Sequence, residues 1–193
     1  MSTIIDDYVK TNGEWAKAKK IDGRTFQTVS GAKWFGMHHR CECKSYQEVH
    51  PNYSDVTVGF QSFDSFVNWH RVQFGYGEKD WHLDKDVLVK GNKVYSEDNC
   101  VLLPRELNSM IVWKSKNRGL PPCVTPHGTR FIDSCTFERK SVYLGIRDTP
   151  EEAFFLYKTA KEVFIKQQAE KWKDKIDPRA YEALMNYQVE ITD

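Results

Sequence analysis

The sequence predicts an α+β chain with three parts. A short N-terminal arm (1–30) leads into a mixed domain (31–118), and a small three-stranded sheet packed on a long helix follows (119–193). Three observations predict it. Apolar residues at helical spacing follow Ser62 and again follow Thr149-Pro150, which marks two amphipathic helices. Strand-like alternation runs through Trp81-His82-Leu83-Asp84-Lys85-Asp86-Val87-Leu88 and returns in Arg130-Phe131-Ile132 and Ser141-Val142-Tyr143-Leu144. Gly119-Leu120-Pro121-Pro122 separates the two groups, because Pro and interior Gly sustain neither a helix nor a central strand.

Taken in order, Tyr8, Trp15 and Ala18 fall on one helical face before Asp22-Gly23 breaks the pattern. Lys17, Lys19 and Lys20 form a small basic cluster there, read either as a solvated face or as a phosphate contact. Lys33–Cys41 reads as a short helix. Phe63, Phe66, Val67 and Trp69 then form the apolar face of a second one. Gly75-Tyr76-Gly77 turns the chain into the strand at Trp81–Leu88. Gly91-Asn92 supplies a hairpin-type turn before Lys93-Val94-Tyr95. Ser96–Cys100 is a polar turn. From Pro104 a helix carrying Leu107, Ile111 and Trp113 runs towards Lys114, Lys116 and Arg118. Beyond the boundary, Thr149 caps a helix, Pro150 takes its first position and Glu152 closes a capping box. Ala153, Tyr157, Ala160 and Phe164 give that helix an apolar stripe as far as about Lys175. Asp177-Pro178 stops it, and a shorter helix covers about Arg179–Asn186.

Composition excludes several classes. Among 193 residues, 28 Lys and Arg balance 27 Asp and Glu, so the formal net charge is +1 and any basic surface is local. Residues 1–118 carry 17 basic and 15 acidic groups, and residues 119–193 carry 11 and 12, so neither half is basic as a whole. The 40% hydrophobic content and six tryptophans predict a packed core rather than disorder. No apolar run approaches the ~20 residues of a membrane span. The start, MSTIIDDYVK, lacks the apolar stretch of a secretory signal. Cys41, Cys43, Cys100, Cys123 and Cys135 are odd in number and poorly spaced for zinc, which predicts reduced thiols, a cytoplasmic setting and no zinc.

The chemistry concentrates between Trp81 and Asn108. Asp84 sits mid-strand, with Asp86 two residues on and facing the same side. Asn99 closes the turn before the helix, and Asn108 follows on that helix nine residues later. Strand, turn, strand and helix in this order outline a ββα-metal hairpin. One carboxylate and one amide oxygen would hold a divalent cation there, with coordination positions left for water and a phosphodiester oxygen.

The segment WHLDKDVLVKGNKVYSEDNCVLLPRELN resembles the HNH endonuclease motif of bacteriophage-encoded homing-type nucleases. The resemblance implies that Asp84 and Asn108 hold Mg²⁺ or Mn²⁺, with Asp86 acting through water, and that Asn99 orients the general base. The position of that base is Lys85 rather than His. A charged lysine accepts no proton, so His82 is the nearest imidazole able to substitute, and Lys85 is left to contact the scissile phosphate.

Residues 119–176 resemble the AP2-type DNA-binding module through Val142-Tyr143-Leu144-Gly145 and Asp148-Thr149-Pro150-Glu151-Glu152-Ala153. The resemblance implies a sheet that enters the major groove and a helix that braces it from behind. Arg130, Arg139, Lys140 and Arg147 are then the DNA contacts on the sheet, with Lys116 and Arg118 beside it. The likeness departs at the front, where Cys123 replaces the glycine that usually follows the leading proline. The expected activity is metal-dependent hydrolysis of double-stranded DNA, one strand per motif, with a homodimer able to cut both. For a phage-encoded chain the setting is the infected host's cytoplasm. Two alternatives stand beside it: a DNA-binding protein that has lost catalysis through Lys85, and an effector whose aromatic-rich first half occupies a host protein.

Overall fold

The structure, a computed structural model, describes residues 4–111, 119–137 and 140–191. Lys116, Arg118 and Arg139, candidates from the sequence, lie outside the described residues, as does the end of the helix that carries Trp113. The chain is α+β and divides into two units. One comprises Met1–Arg105 with Lys175–Ala180, the other Glu106–Asp174 with Tyr181–Asp193.

The first unit opens with strands, where helical spacing predicts a helix. Asp22 (φ 47°) and Gly23 (φ 76°) are both left-handed, the signature of a two-residue type I′ turn. That turn joins β2 (Ala18–Ile21) to β3 (Arg24–Thr28) antiparallel, and β1 (Ile4–Ile5) lies parallel on the other side of β3. Turn chemistry outweighs the spacing of Tyr8, Trp15 and Ala18.

Thr28 then caps α1 (Val29–Glu42) by accepting the Gly31 N–H at 3.0 Å, and its hydroxyl donates to the Ala16 carbonyl at 2.9 Å. A Cβ on Gly31 would fall 2.0 Å from the Lys17 carbonyl oxygen, so only glycine lets the chain cross the helix start here. The helix is longer than Lys33–Cys41, because it starts at that cap. After α2 (Lys44–Val49), a 3-10 turn and β4 (Thr57–Val58), α3 (Phe63–His70) begins with a Ser62–Ser65 capping box. Trp34 of α1 meets Phe63 and Phe66 of α3 at ring separations of 5.6 and 5.4 Å, with Met37 and Val67 fully buried beside them.

The hairpin predicted across Gly91-Asn92 does not form. β5 (Trp81–Asp84) pairs antiparallel with β7 (Val101–Pro104), in the register Trp81↔Pro104 to Asp84↔Val101. β6 (Val94–Tyr95) pairs in parallel with β4 instead. Val101-Leu102-Leu103 is a continuous apolar run, and all of β7 is buried, which makes it the better partner for a buried strand.

α4 (Arg105–Ile111) follows β7 in the chain, and the second unit begins at its second residue, Glu106. β8 (Val124–His127), β9 (Arg130–Phe137) and β10 (Lys140–Arg147) form an antiparallel sheet in the order β10-β9-β8. The sheet packs on α5 (Pro150–Trp172), whose first turn is capped by Thr149 accepting the Glu152 N–H at 3.2 Å. The buried line of α5 runs through Ala153, Tyr157, Lys161 and Ile165, so a lysine takes a core position where the apolar stripe places Ala160 and Phe164. Val189 closes the end of the chain against α5, its N–H donating to Glu162 at 2.9 Å. α6 (Pro178–Met185) follows the Asp177 carboxylate, which accepts the Arg179 N–H at 2.8 Å. No described helix is long and apolar enough to cross a membrane.

Candidate functional site

β5 stops at Asp84 because that side chain redirects the backbone. Asp84 Oδ1 accepts the N–H groups of Asp86 at 2.8 Å and Val87 at 2.7 Å, an aspartate turn that ends strand alternation. Asp86 is therefore not on a strand and does not share Asp84's face by alternation. Burial pushes the Asp84 carboxyl above the ordinary aspartate value, and the Val87 N–H opposes that rise.

Lys85 turns inward. It is 5% exposed, and its ammonium donates to both Asp86 oxygens at 2.8 Å and to the Asn92 carbonyl at 2.7 Å. Asn92 in turn donates through Nδ2 to the carbonyls of Lys85 (2.9 Å) and Val94 (2.7 Å). Asn99 stands behind it, with Nδ2 at 3.4 Å from Asn92 Oδ1. So the tether of this loop is Asn92, which in the sequence looks like a turn residue only. Lys85 is occupied by its neighbours, and a phosphate contact from it is not what the geometry provides. Replacing it makes a clear prediction. Lys85→His shortens the side chain, strands the Asn92 carbonyl and lowers stability by about 1–2 kcal/mol, discounted because Asp86 is half exposed. Chemical denaturation measures this.

His82 is exposed on β5, two residues before the buried Asp84. Burial lowers its pKa first, and the nearby cations Lys33 and Arg105 lower it further, with Arg40 adding a smaller push and Asp80 opposing. Lys33 and Arg40 come from α1, seven residues apart and thus on one helix face. Lys33 donates to the Trp81 carbonyl, and Arg40 Nε donates to the Tyr95 hydroxyl at 2.9 Å. Lys33, Arg105 and Arg40 are thus within electrostatic reach of the His82 imidazole. The helical period of Lys33 and Arg40 was the available signal for them, but nothing local links that face to His82.

Asn108 lies one turn into α4, half-buried, within the second unit. Among the described residues no three His, Cys, Asp or Glu side chains converge as metal ligands. In Asp84 both of these hydrogen bonds fall on Oδ1.

On the sheet of the second unit, Arg130 and Lys140 are exposed and Arg147 is half-buried. Arg130 Nε donates to Asp148 at 2.7 Å, and Arg147 Nη1 donates to the Ile146 carbonyl at 2.7 Å. Tyr143, 62% exposed, stands on β10 between Lys140 and Arg147.

A second polar cluster has no precedent in the sequence spacing. Ser30 Oγ donates to Asp7 Oδ2 and lies 2.8 Å from His70 Nδ1; the Ser30 N–H and the Tyr76 hydroxyl also donate to Asp7, at 2.9 and 2.7 Å. Serine, histidine and aspartate meet here in the wrong order for nucleophilic catalysis. The serine hydroxyl donates its hydrogen bond to the carboxylate rather than to the imidazole. His70 is fully buried, and the cluster ties the N-terminal segment to α1 and α3. No protein-family model, curated protein or solved structure matches the chain.

Proposed function

We propose that the chain is a divalent-metal-dependent endonuclease of double-stranded DNA, with an HNH-type ββα hairpin and an AP2-like sheet. What supports this reading is His82: an exposed imidazole whose pKa is lowered, by burial first and then by Lys33, Arg105 and Arg40. A neutral imidazole accepts a proton from water, and the three cations draw a phosphodiester to the same place. Asp84 would hold Mg²⁺ or Mn²⁺ through Oδ2, and the family resemblance supplies Asn108 as its partner ligand. When bound, the metal would stabilise charge on the leaving 3′-oxygen. Asn92 and Asn99 keep the loop after Asp84 in place. In the second unit, Arg130, Lys140 and Arg147 are the described side chains for DNA, and Arg139, Lys116 and Arg118 remain candidates from the sequence. Such contacts weaken steeply as salt rises.

Incubation with supercoiled plasmid and Mg²⁺ or Mn²⁺ tests the reading. The wild-type chain should nick it, EDTA should stop the reaction, and His82→Ala should slow it by about 10²–10⁴-fold. Equal nicking by wild type and variant removes His82 from the reaction.

One observation favours a second reading, a DNA-binding protein without catalysis. Lys85, at the position where the family keeps its general base, is paired with Asp86. Gel retardation at low salt with no cleavage under any metal would decide for it.

A further inference from the structure

Asp133 stands in the middle of β9, the central strand of the second unit's sheet, and is 0% exposed. Neither of its carboxylate oxygens has a hydrogen-bond partner among the described residues. An ionised carboxylate there would lose its water and gain no donor in exchange, so the closed sheet tolerates only the neutral acid. The residues directly across from it offer nothing polar. Val124 on β8 is apolar, and Gly145 on β10, at a shift in the register, has no side chain.

Titratable and charged groups lie on every element packed against β9. Cys123 precedes β8, and His127 ends it opposite Arg130, which is bound to Asp148 at 2.7 Å. Cys135 is two residues along β9 itself. β10 brings Arg147, whose Nη1 donates to the Ile146 carbonyl, and α5 brings Tyr157 and Lys161 on its buried line. None of these groups hydrogen-bonds to either Asp133 oxygen.

Of the two neighbours of β9, β8 is the one built to leave. It is four residues long against eight in β10, and its Pro126 has no N–H to give to the ladder. Three of its residues are exposed, and only Val124, 6% exposed and facing Asp133 across the pair, is buried. Left-handed residues flank it, Cys123 (φ 63°) before Val124 and Gly128 (φ 61°) after His127. Such element ends are where a chain absorbs a change of direction.

We propose that β8 is a pH-released flap: when Asp133 gives its proton to solvent, β8 lifts from β9 and water reaches the carboxylate. The lost burial of Val124 and the lost pairing are offset by hydration of the ion. Burial raises the Asp133 carboxyl from 3.8 to about 7 in the closed sheet, which fixes the sign. The closed form holds the proton more tightly than the open one. β8 is therefore fully held below about pH 4 and is freed progressively as pH rises to about 7.

Amide hydrogen exchange on the full chain, corrected for the intrinsic effect of pH, tests the proposal. Opening of the β8–β9 pairing should rise about tenfold from pH 5 to pH 6, while the β9–β10 pairing stays unchanged. Asp133→Asn and Asp133→Val, which do not titrate, should show the same opening at both pH values. Circular dichroism identifies which variants are folded, and the wild-type profile stands without them. The proposal fails if wild-type opening is flat over this range, if a folded variant keeps the rise, or if β10 opens in step with β8.

Discussion

Asp84→Asn is expected to slow metal-dependent nicking of supercoiled DNA by about 10²–10³-fold, a loss of several kcal/mol of charge stabilisation. The melting temperature should barely move. The substitution separates the two duties of this side chain. An asparagine Oδ1 still accepts the N–H groups of Asp86 and Val87, so the turn after β5 survives. What disappears is the negative charge that a cation requires. Asp84→Ala is the poorer test, because it removes the turn as well. Since burial raises the Asp84 carboxyl, the rate should also fall off on the acid side earlier than for an exposed aspartate. A variant that nicks as fast as wild type, with an unchanged metal requirement, would exclude Asp84 as a ligand.

The largest stability effect is expected at acid pH and centres on His70. Burial lowers its pKa from 6.5 to about 4, with Asp7 opposing and Lys33 assisting. A depressed value means that folding favours the neutral ring. The stabilisation is therefore complete above pH 6.5 and drains away as pH falls towards about 4. A gap of that size is worth roughly 3 kcal/mol. His70→Asn keeps a donor near Ser30 but does not titrate, so urea unfolding at neutral and acid pH should show a smaller acid loss in the variant. Asp133 works in the opposite sense. Burial raises its carboxyl to about 7, so deprotonation destabilises the fold as pH rises through that value. The difference between wild type and variant, rather than the slope of either, is accordingly the readout. Identical acid losses would remove His70 as the cause.

What was legible in the sequence is what local chemistry decides. Ser62 and Thr149 cap α3 and α5 where the spacing places helix starts. Two strands of the second unit, β9 and β10, also form where the sequence places them, with β8 in front. The partner of β5 was not legible. Gly91-Asn92 resembles a hairpin turn, but pairing depends on burial: β7 offers four buried residues and β6 only two residues in all. The candidate site divides in the same way. Asp84 and His82 stand out by type and order. Asn92, Arg40 and Arg105 gain their roles only from contacts across the fold, and Lys85 turns inward because a bidentate carboxylate lies next to it in the chain.

β2 lies at the rim of its sheet, since the order is β1-β3-β2. Its outer backbone groups are a template for a strand of another chain, yet Lys19 and Lys20 stand exposed along it. A second molecule that docked there would set ammonium against ammonium, a penalty that grows as salt is diluted. The same pair of lysines that invites a reading as a phosphate contact thus also sets charge against edge-to-edge pairing.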